Sequence, residues 1–277
     1  MKQVFFNGLR AASVAALLIS MAGIAAAEPK HGIAMYGEPA LPPDFVSLPY
    51  ANPDAPKGGR IVFGESGGFD SLNPFIVKGT APTGVSLLTV ETLLGRSYDE
   101  PFSLYGVLAE SVDTDPQRSY VEFTLRENAR FSDGAPVTVE DVIWSFEKLG
   151  TEGSPRYAGA WKKIASAEQT GPRSVKFTFS ELDRELPLIL GLRPILQKAQ
   201  WEGKDFTASS LDPIIGSGPY VVDAVDPGKL AELRARHARA YDASTPAGLK
   251  EAKEAALKIA TESAQDIQSQ KPAVHFH

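Results

Sequence analysis

The sequence predicts a mixed protein of α/β or α+β class, because two strand-period stretches flank a capped helical one. Ser119 to Arg126 sets Val121, Phe123 and Leu125 on one face and Glu122, Thr124 and Arg126 on the other. Ser174 to Phe179 repeats the pattern with Val175, Phe177 and Phe179, as a half-buried strand requires. Between them Thr138 stands three residues before Asp141 and heads Val142, Phe146 and Leu149 at helical spacing. That is a capping-box signature, with Gly150 as the predicted stop.

The remaining elements follow in chain order. Lys2 and Arg10 precede an apolar run from Ala11 to Ala26, and Ala25-Ala26-Ala27 offers small residues for cleavage. Residues 1–27 therefore read as a secretory signal peptide rather than a membrane anchor, the run being short for a span. Residues 28–58 form a proline-rich arm, with Pro39, Pro42, Pro43, Pro49, Pro53 and Pro56 around Tyr36, Phe45 and Tyr50. Such a segment sustains neither helix nor central strand, so its aromatics are expected to pack it as an extended arm on the body. Arg60 to Phe63 reads as a short strand, Thr80 to Leu94 as a helix, Asp133-Gly134 as a turn and Tyr220 to Val222 as a strand. After Gly228 the composition changes: residues 229–277 hold twelve alanines and a single phenylalanine. Thr245-Pro246 starts a predicted helix whose face (Leu249, Ala252, Ala256, Ile259) buries little area.

Composition excludes several functions. The 277 residues carry a formal charge of −6, which becomes −8 once Lys2 and Arg10 are removed. That balance argues against nucleic acid or an anionic membrane surface as partner. With no cysteine there is no disulfide, thiolate site or cysteine nucleophile. Beyond residue 27 no apolar stretch is long enough to span a bilayer.

Catalytic motifs are thin. Gly64-Glu65-Ser66-Gly67-Gly68 matches G-x-S-x-G after a predicted strand, but loop residues follow where a nucleophile elbow needs a helix. His31 lies upstream, and His237, His275 and His277 all lie in the alanine-rich tail. A serine hydrolase using Ser66 is thus a minor reading. His275 and His277 suit a frayed chain end better than a metal site, so no metal or cofactor is expected. Glu181, Asp183 and Glu185 read as a solvated face partly neutralised by Arg184. Tyr98, Phe102 and Tyr105 read as core or surface rather than as a ligand platform.

From about Gly58 to Gly228 the segments fall in a familiar order. Phe69-Asp70-Ser71-Leu72-Asn73-Pro74 is followed by Glu91-Thr92-Leu93-Leu94 and Leu108-Ala109-Glu110-Ser111. The long block Phe123 to Val142 (F-T-L-R-E-N-A-R-F-S-D-G-A-P-V-T-V-E-D-V) comes next, and Gly216-Ser217-Gly218-Pro219-Tyr220 closes the stretch. Together these resemble the extracellular solute-binding proteins of peptide, nickel and oligopeptide ABC importers. The arm motif Pro49 to Gly59 and the run Arg96 to Phe102 resemble the YejA-like branch in particular.

The resemblance implies an α/β fold of the type II periplasmic-binding-protein kind. Residues 59–228 would form the N-terminal lobe, with a small α+β subdomain inserted at roughly 82–165. It implies a periplasmic, non-enzymatic protein that binds an oligopeptide and serves an inner-membrane ABC permease, as a monomer. Lys78, Gly79 and Thr80 would meet the peptide backbone and Tyr157 would line the cleft, with Glu65 and Ser66 as weaker candidates. Each also has a plainer reading, a helix-entry turn or a solvated side chain. The second lobe of the family is missing, and 229–277 stands outside the family pattern, so a truncated form is expected. A secreted protein–protein interaction module derived from one lobe is the rival reading.

Overall fold

The alternating stretches form the central sheet of the computed structural model, which describes residues 29–56, 58 and 68–226 and the backbone of 273–276. Strands β4 (Ala109–Asp113), β5 (Tyr120–Leu125), β6 (Ile164–Gln169) and β7 (Ser174–Phe179) lie in the order β4-β5-β7-β6, all antiparallel. The register of β5 on β7 sets Val121 opposite Phe177 and Phe123 opposite Val175. One face is therefore continuously apolar, as strand period requires of a half-buried sheet.

Helix α2 (Val139–Thr151) closes that face. Thr138 caps it as expected: its Oγ1 accepts from the Asp141 N–H at 3.1 Å, and Asp141 Oδ2 accepts from the Thr138 N–H at 3.0 Å. Phe146 stacks on Phe177 with ring centroids 4.5 Å apart, and Phe123 meets the same ring at 6.5 Å. Gly150 is not the stop; the helix runs through it to Thr151, and the Trp161 ring is seated on Gly150. The turn at Asp133-Gly134 forms as predicted, with Gly134 at φ +88° and its N–H on Phe131 O at 2.9 Å.

A second antiparallel sheet, β1-β3-β2, joins the arm to the body. Its strands are β1 (Gly32–Ala34), β2 (Leu94–Arg96) and β3 (Ser103–Gly106). The arm contributes β1, a proline-free stretch, at an edge of this sheet. Tyr105 lies between His31 and Phe45, with centroids 5.8 and 5.2 Å away, so the arm packs as an extended segment.

The helix predicted over Thr80 to Leu94 is shorter: α1 spans Thr83–Thr89. Pro82 is extended, and the carbonyls that would continue the helix are taken from outside. Gly218 N–H donates to Thr89 O at 2.9 Å and Tyr220 N–H to Leu88 O at 3.1 Å. Gly216 and Gly218 make this crossing possible, since a Cβ on either would sit within 2.7 Å of the Thr89 carbonyl carbon. The strand expected at Tyr220 to Val222 starts two residues later, as β8 (Val222–Asp226), because Tyr220 is held on α1. It pairs with β9 (Ala273–Phe276), so His275 lies in a strand and not in a frayed end. The signal segment, the Arg60 to Phe63 strand and the helix from Thr245 lie outside the described residues.

Two hydrophobic clusters result. One lies between α2 and the four-stranded sheet. The other gathers Phe69, Leu72, Phe75, Val85, Leu149, Leu196 and Phe206. Helix α2 serves both, through Phe146 and Leu149 respectively. The acidic run near residue 183 is neutralised by Lys163, 2.7 Å from Glu181 and 2.8 Å from Asp183, and not by Arg184, whose guanidinium turns to Met35 O. Among the described residues no helix is long and apolar enough to cross a membrane.

Gly150→Ala tests this packing by its sign. In an open helix the change would stabilise by about 0.5–1 kcal/mol. Here a Cβ would fall within 2.7 Å of Trp161 Cδ1, so the expected result in denaturant titration is a loss of about 1–3 kcal/mol. Adding Trp161→Leu should recover part of it.

Candidate functional site

The Phe69–Asn73 motif and the Val77–Thr80 segment form one clamped loop. Asp70 Oδ1 accepts from the Thr80 N–H at 2.6 Å, while Thr80 O accepts from the N–H groups of Asp70 and Ser71 at 3.0 and 3.2 Å. Buried Asn73 takes the Phe75 N–H on its Oδ1 at 3.1 Å and donates through Nδ2 to Phe206 O at 3.1 Å. The 205–210 segment completes the clamp: Leu72 N–H donates to Ser210 O at 2.7 Å, and Ser209 Oγ to Asp70 O at 2.6 Å.

This clamp presents Lys78 and Gly79. Both are exposed, and neither main chain is hydrogen-bonded to the described residues. Gly79 sits at φ +87°, and a Cβ there would lie 2.9 Å from Ser71 Cβ and from Ser209 Oγ. Only glycine fits this position without strain. The Thr207 hydroxyl and N–H hold the Asp205 carboxyl below its ordinary range, and the charges of Lys78 and Lys148 add to that. Lys78 is thus within electrostatic reach of Asp205, while its ammonium forms no ion pair with the described residues.

Tyr157 lies one junction away. Ser154 N–H donates to Phe75 O at 2.7 Å, and the 3₁₀ turn Pro155–Tyr157 follows directly. Burial pushes the Tyr157 phenol up, against the opposing influence of Arg156, which stacks on the ring at 4.7 Å and donates to its hydroxyl at 2.8 Å.

The other side of Tyr157 holds a residue that sequence reasoning missed. Arg193 is 3% exposed, with its guanidinium 4.9 Å from the Tyr157 ring centre and 5.7 Å from that of Phe146. Its Nη1 donates to Tyr157 O at 3.2 Å, and no described carboxylate pairs with it. Burial pushes its pKa down to about 10, so it remains a cation at neutral pH. A buried arginine without an acid is costly unless something else engages it. The signal was present in the sequence: Arg193 is the one charge in the apolar run Leu186 to Leu196.

The structure therefore links three of the expected residues, Lys78, Gly79 and Thr80, to Tyr157 through the Ser154–Phe75 bond. Glu65 and Ser66 lie outside the described residues. Trp144, Trp201 and Phe206 line a small pocket with Lys148, Lys198 and Lys204, but each of those lysines already pairs with an acid. Among the described residues no group of three His, Asp or Glu could hold a metal ion.

The profile of the bacterial extracellular solute-binding proteins, family 5, matches residues 103–267. The chain belongs to that family. The match runs past residue 228, into the segment that the sequence reading set outside the family pattern. The chain is 46% identical over 217 residues to a protein of Agrobacterium fabrum named "Peptidoglycan-binding protein YepA", covering 75% of this chain and 35% of that protein. To "Probable peptide-binding protein YejA" of the same organism it is 41% identical over 207 residues, covering 72% of this chain and 33% of the relative. A crystal structure of a periplasmic oligopeptide-binding protein of an ABC transporter from Thermotoga maritima shares 31% identity over 57% of this chain and 30% of that one, with a TM-score of 0.48. The chain spans about a third of the length of the two curated relatives. The fold is of the α/β, type II class of that family, and these relatives are binding proteins.

Arg193→Met separates function from structure. Removing a buried cation that has no acid partner should leave the denaturation midpoint unchanged or raise it. If Arg193 were a structural strut, urea titration would show a loss instead.

Proposed function

We propose that the chain is the N-terminal, peptide-contacting part of an oligopeptide-binding component of an ABC importer. The observation that carries this is the clamped turn at Lys78 and Gly79. Its N–H and C=O groups are exposed, unpaired within the described residues and rigidly held. An extended peptide can pair with such main chain as an added strand, gaining affinity without reading its own side chains. Lys78 supplies a cation for a peptide carboxylate. Tyr157 and Arg193 supply a second, more buried contact for an acidic group.

Several features support this reading and enter with it. The family description is extracellular, and the first 27 residues have the form of a signal peptide, which suits a periplasmic protein. A small subdomain inserted at roughly 82–165 is expected on the same reading. The ligand would be a short peptide; the name of the 46% identical relative makes peptide fragments of the cell wall the first to try. Closure on that ligand requires a second wall, and the greater length of the relatives is where such a wall would be found. Delivery would be to an inner-membrane permease, with the chain acting as a monomer.

The test is denaturant unfolding of residues 28–277 with and without a mixed tripeptide-to-pentapeptide pool. A ligand at 100 times its Kd stabilises the folded state by about 2.7 kcal/mol, so the midpoint should rise visibly. Lys78→Gln should reduce the shift without altering the peptide-free midpoint, and C-terminal amidation of the peptides should do the same. A cooperative transition that peptides leave unmoved would overturn the proposal.

A further inference from the structure

A cluster of aromatic side chains lies outside the candidate site, where the arm meets the connection between β2 and β3. Tyr98 is 83% exposed, Tyr36 77%, Phe102 67% and Tyr50 47%. They form two pairs: Tyr36 meets Phe102 edge-on at 6.3 Å, and Tyr50 meets Tyr98 at 5.7 Å. Tyr98 and Phe102 belong to one short connection, so the four rings share a patch. A single exposed aromatic is ordinary, but two contacting pairs of exposed rings at one junction mark a recognition surface.

The patch is rigid and strained. Phe102 has φ +66°, a conformation that is an outlier for a bulky side chain. It is held there by its carbonyl, which accepts the Met35 N–H at 2.9 Å. The Tyr98 N–H donates to Tyr50 OH at 3.3 Å. Beneath them Glu100 accepts from the Ala40 N–H at 2.9 Å, from Ser103 Oγ at 2.7 Å and from the Tyr105 hydroxyl. The fold thus spends hydrogen bonds and backbone strain on displaying rings that bury little of their own area, and such strain persists where it serves a purpose.

The charge around the rings selects the occupant. Residues 36–54 and 96–102 contain five acids against one base, Arg96. Glu38 is paired with Lys30 and Glu100 is taken up by Ala40, Ser103 and Tyr105, which leaves Asp44, Asp54 and Asp99. Asp99 adjoins Tyr98 and pairs with no described cation. Edge-on and tilted pairs leave ring faces open, and an aromatic face beside a carboxylate attracts guanidinium or ammonium groups. An anionic lipid surface or nucleic acid would be repelled. We propose that this patch docks a cationic, arginine- or lysine-bearing segment of a partner protein, through cation–π contacts on Tyr98, Phe102 and Tyr36. This inference stands independently of peptide binding at Lys78 and Gly79.

The probe is the peptide (Arg-Gly-Gly)₃, titrated calorimetrically into the 28–277 chain, with (Ser-Gly-Gly)₃ as the neutral control. The variant is Tyr98→Ser with Phe102→Gly. It removes two exposed rings, and glycine accepts the positive φ freely, so its unfolding midpoint should equal or exceed that of the parent. Saturable binding of the arginine peptide is expected, weakened by added salt and weakened about tenfold or more in the variant. Lys78→Gln should leave it unchanged, which distinguishes failure here from failure of the peptide-import reading. Equal binding by parent and variant, or by arginine and neutral peptides, would overturn the proposal. So would absence of binding, or saturable binding of an N-acetylglucosamine tetramer instead, which would make the patch a saccharide platform.

Discussion

Everything around the candidate site depends on one buried carboxylate, Asp141, at the start of α2. One of its oxygens closes the capping box with Thr138, and the other accepts the Lys198 N–H at 2.9 Å. One turn on, Ser145 Oγ accepts the Leu196 N–H at 2.8 Å and donates to Asp141 O at 2.6 Å. The first half of the helix is therefore knitted to the 196–198 segment by side chains buried among apolar residues. Such bonds gain strength in a low-dielectric setting and are costly to lose. The segment they fix leads back to Arg193, whose place over Phe146 and beneath Tyr157 follows from the anchoring of its own chain.

The same helix joins the two cores. Its Val142 and Phe146 face the four-stranded sheet, while Leu149 and Trp144 face the cluster that supports the Asp70–Thr80 loop. The clamped turn and the arginine are thus positioned from one rigid element, the arrangement in which a binding constellation keeps its geometry. The crossing of Gly216 and Gly218 over Thr89 adds a second constraint. It ends α1 and holds Tyr220 on its last turn, so the closing Gly-Pro-Tyr motif is a packing device before it is a strand.

What could be read from the sequence follows the length of the periodic signal. β5 and β7 each show three alternations, and both appear with ends shifted by at most one residue; the capping box is exact in its partners. β2 and β3 have three and four residues, too few for a period to emerge; β3 is held by the arm, a long-range partner, and β2 by β3. Gly150 reads as a stop by propensity, but the helix ends one residue later, and the glycine instead makes room for Trp161. For the site, the resemblance supplied Lys78, Gly79, Thr80 and Tyr157. Arg193 was visible only as a charge out of place in an apolar run, and its meaning needed the contacts.

The electrostatics divide the molecule by sign. The chain is acidic overall, yet at the candidate site the acids are already engaged in local structure. Asp70 is committed to the Thr80 N–H and Asp205 to Thr207, while Lys78 is exposed and forms no ion pair with the described residues. On the arm the reverse holds: Lys30 is paired with Glu38 at 2.6 Å, and Asp99 is unpaired among the described residues beside open rings. On the proposed reading a ligand carboxylate would be drawn to the first surface and a basic segment to the second. Separation of this kind lets a binding protein hold an acidic solute and meet a basic partner without one competing for the place of the other.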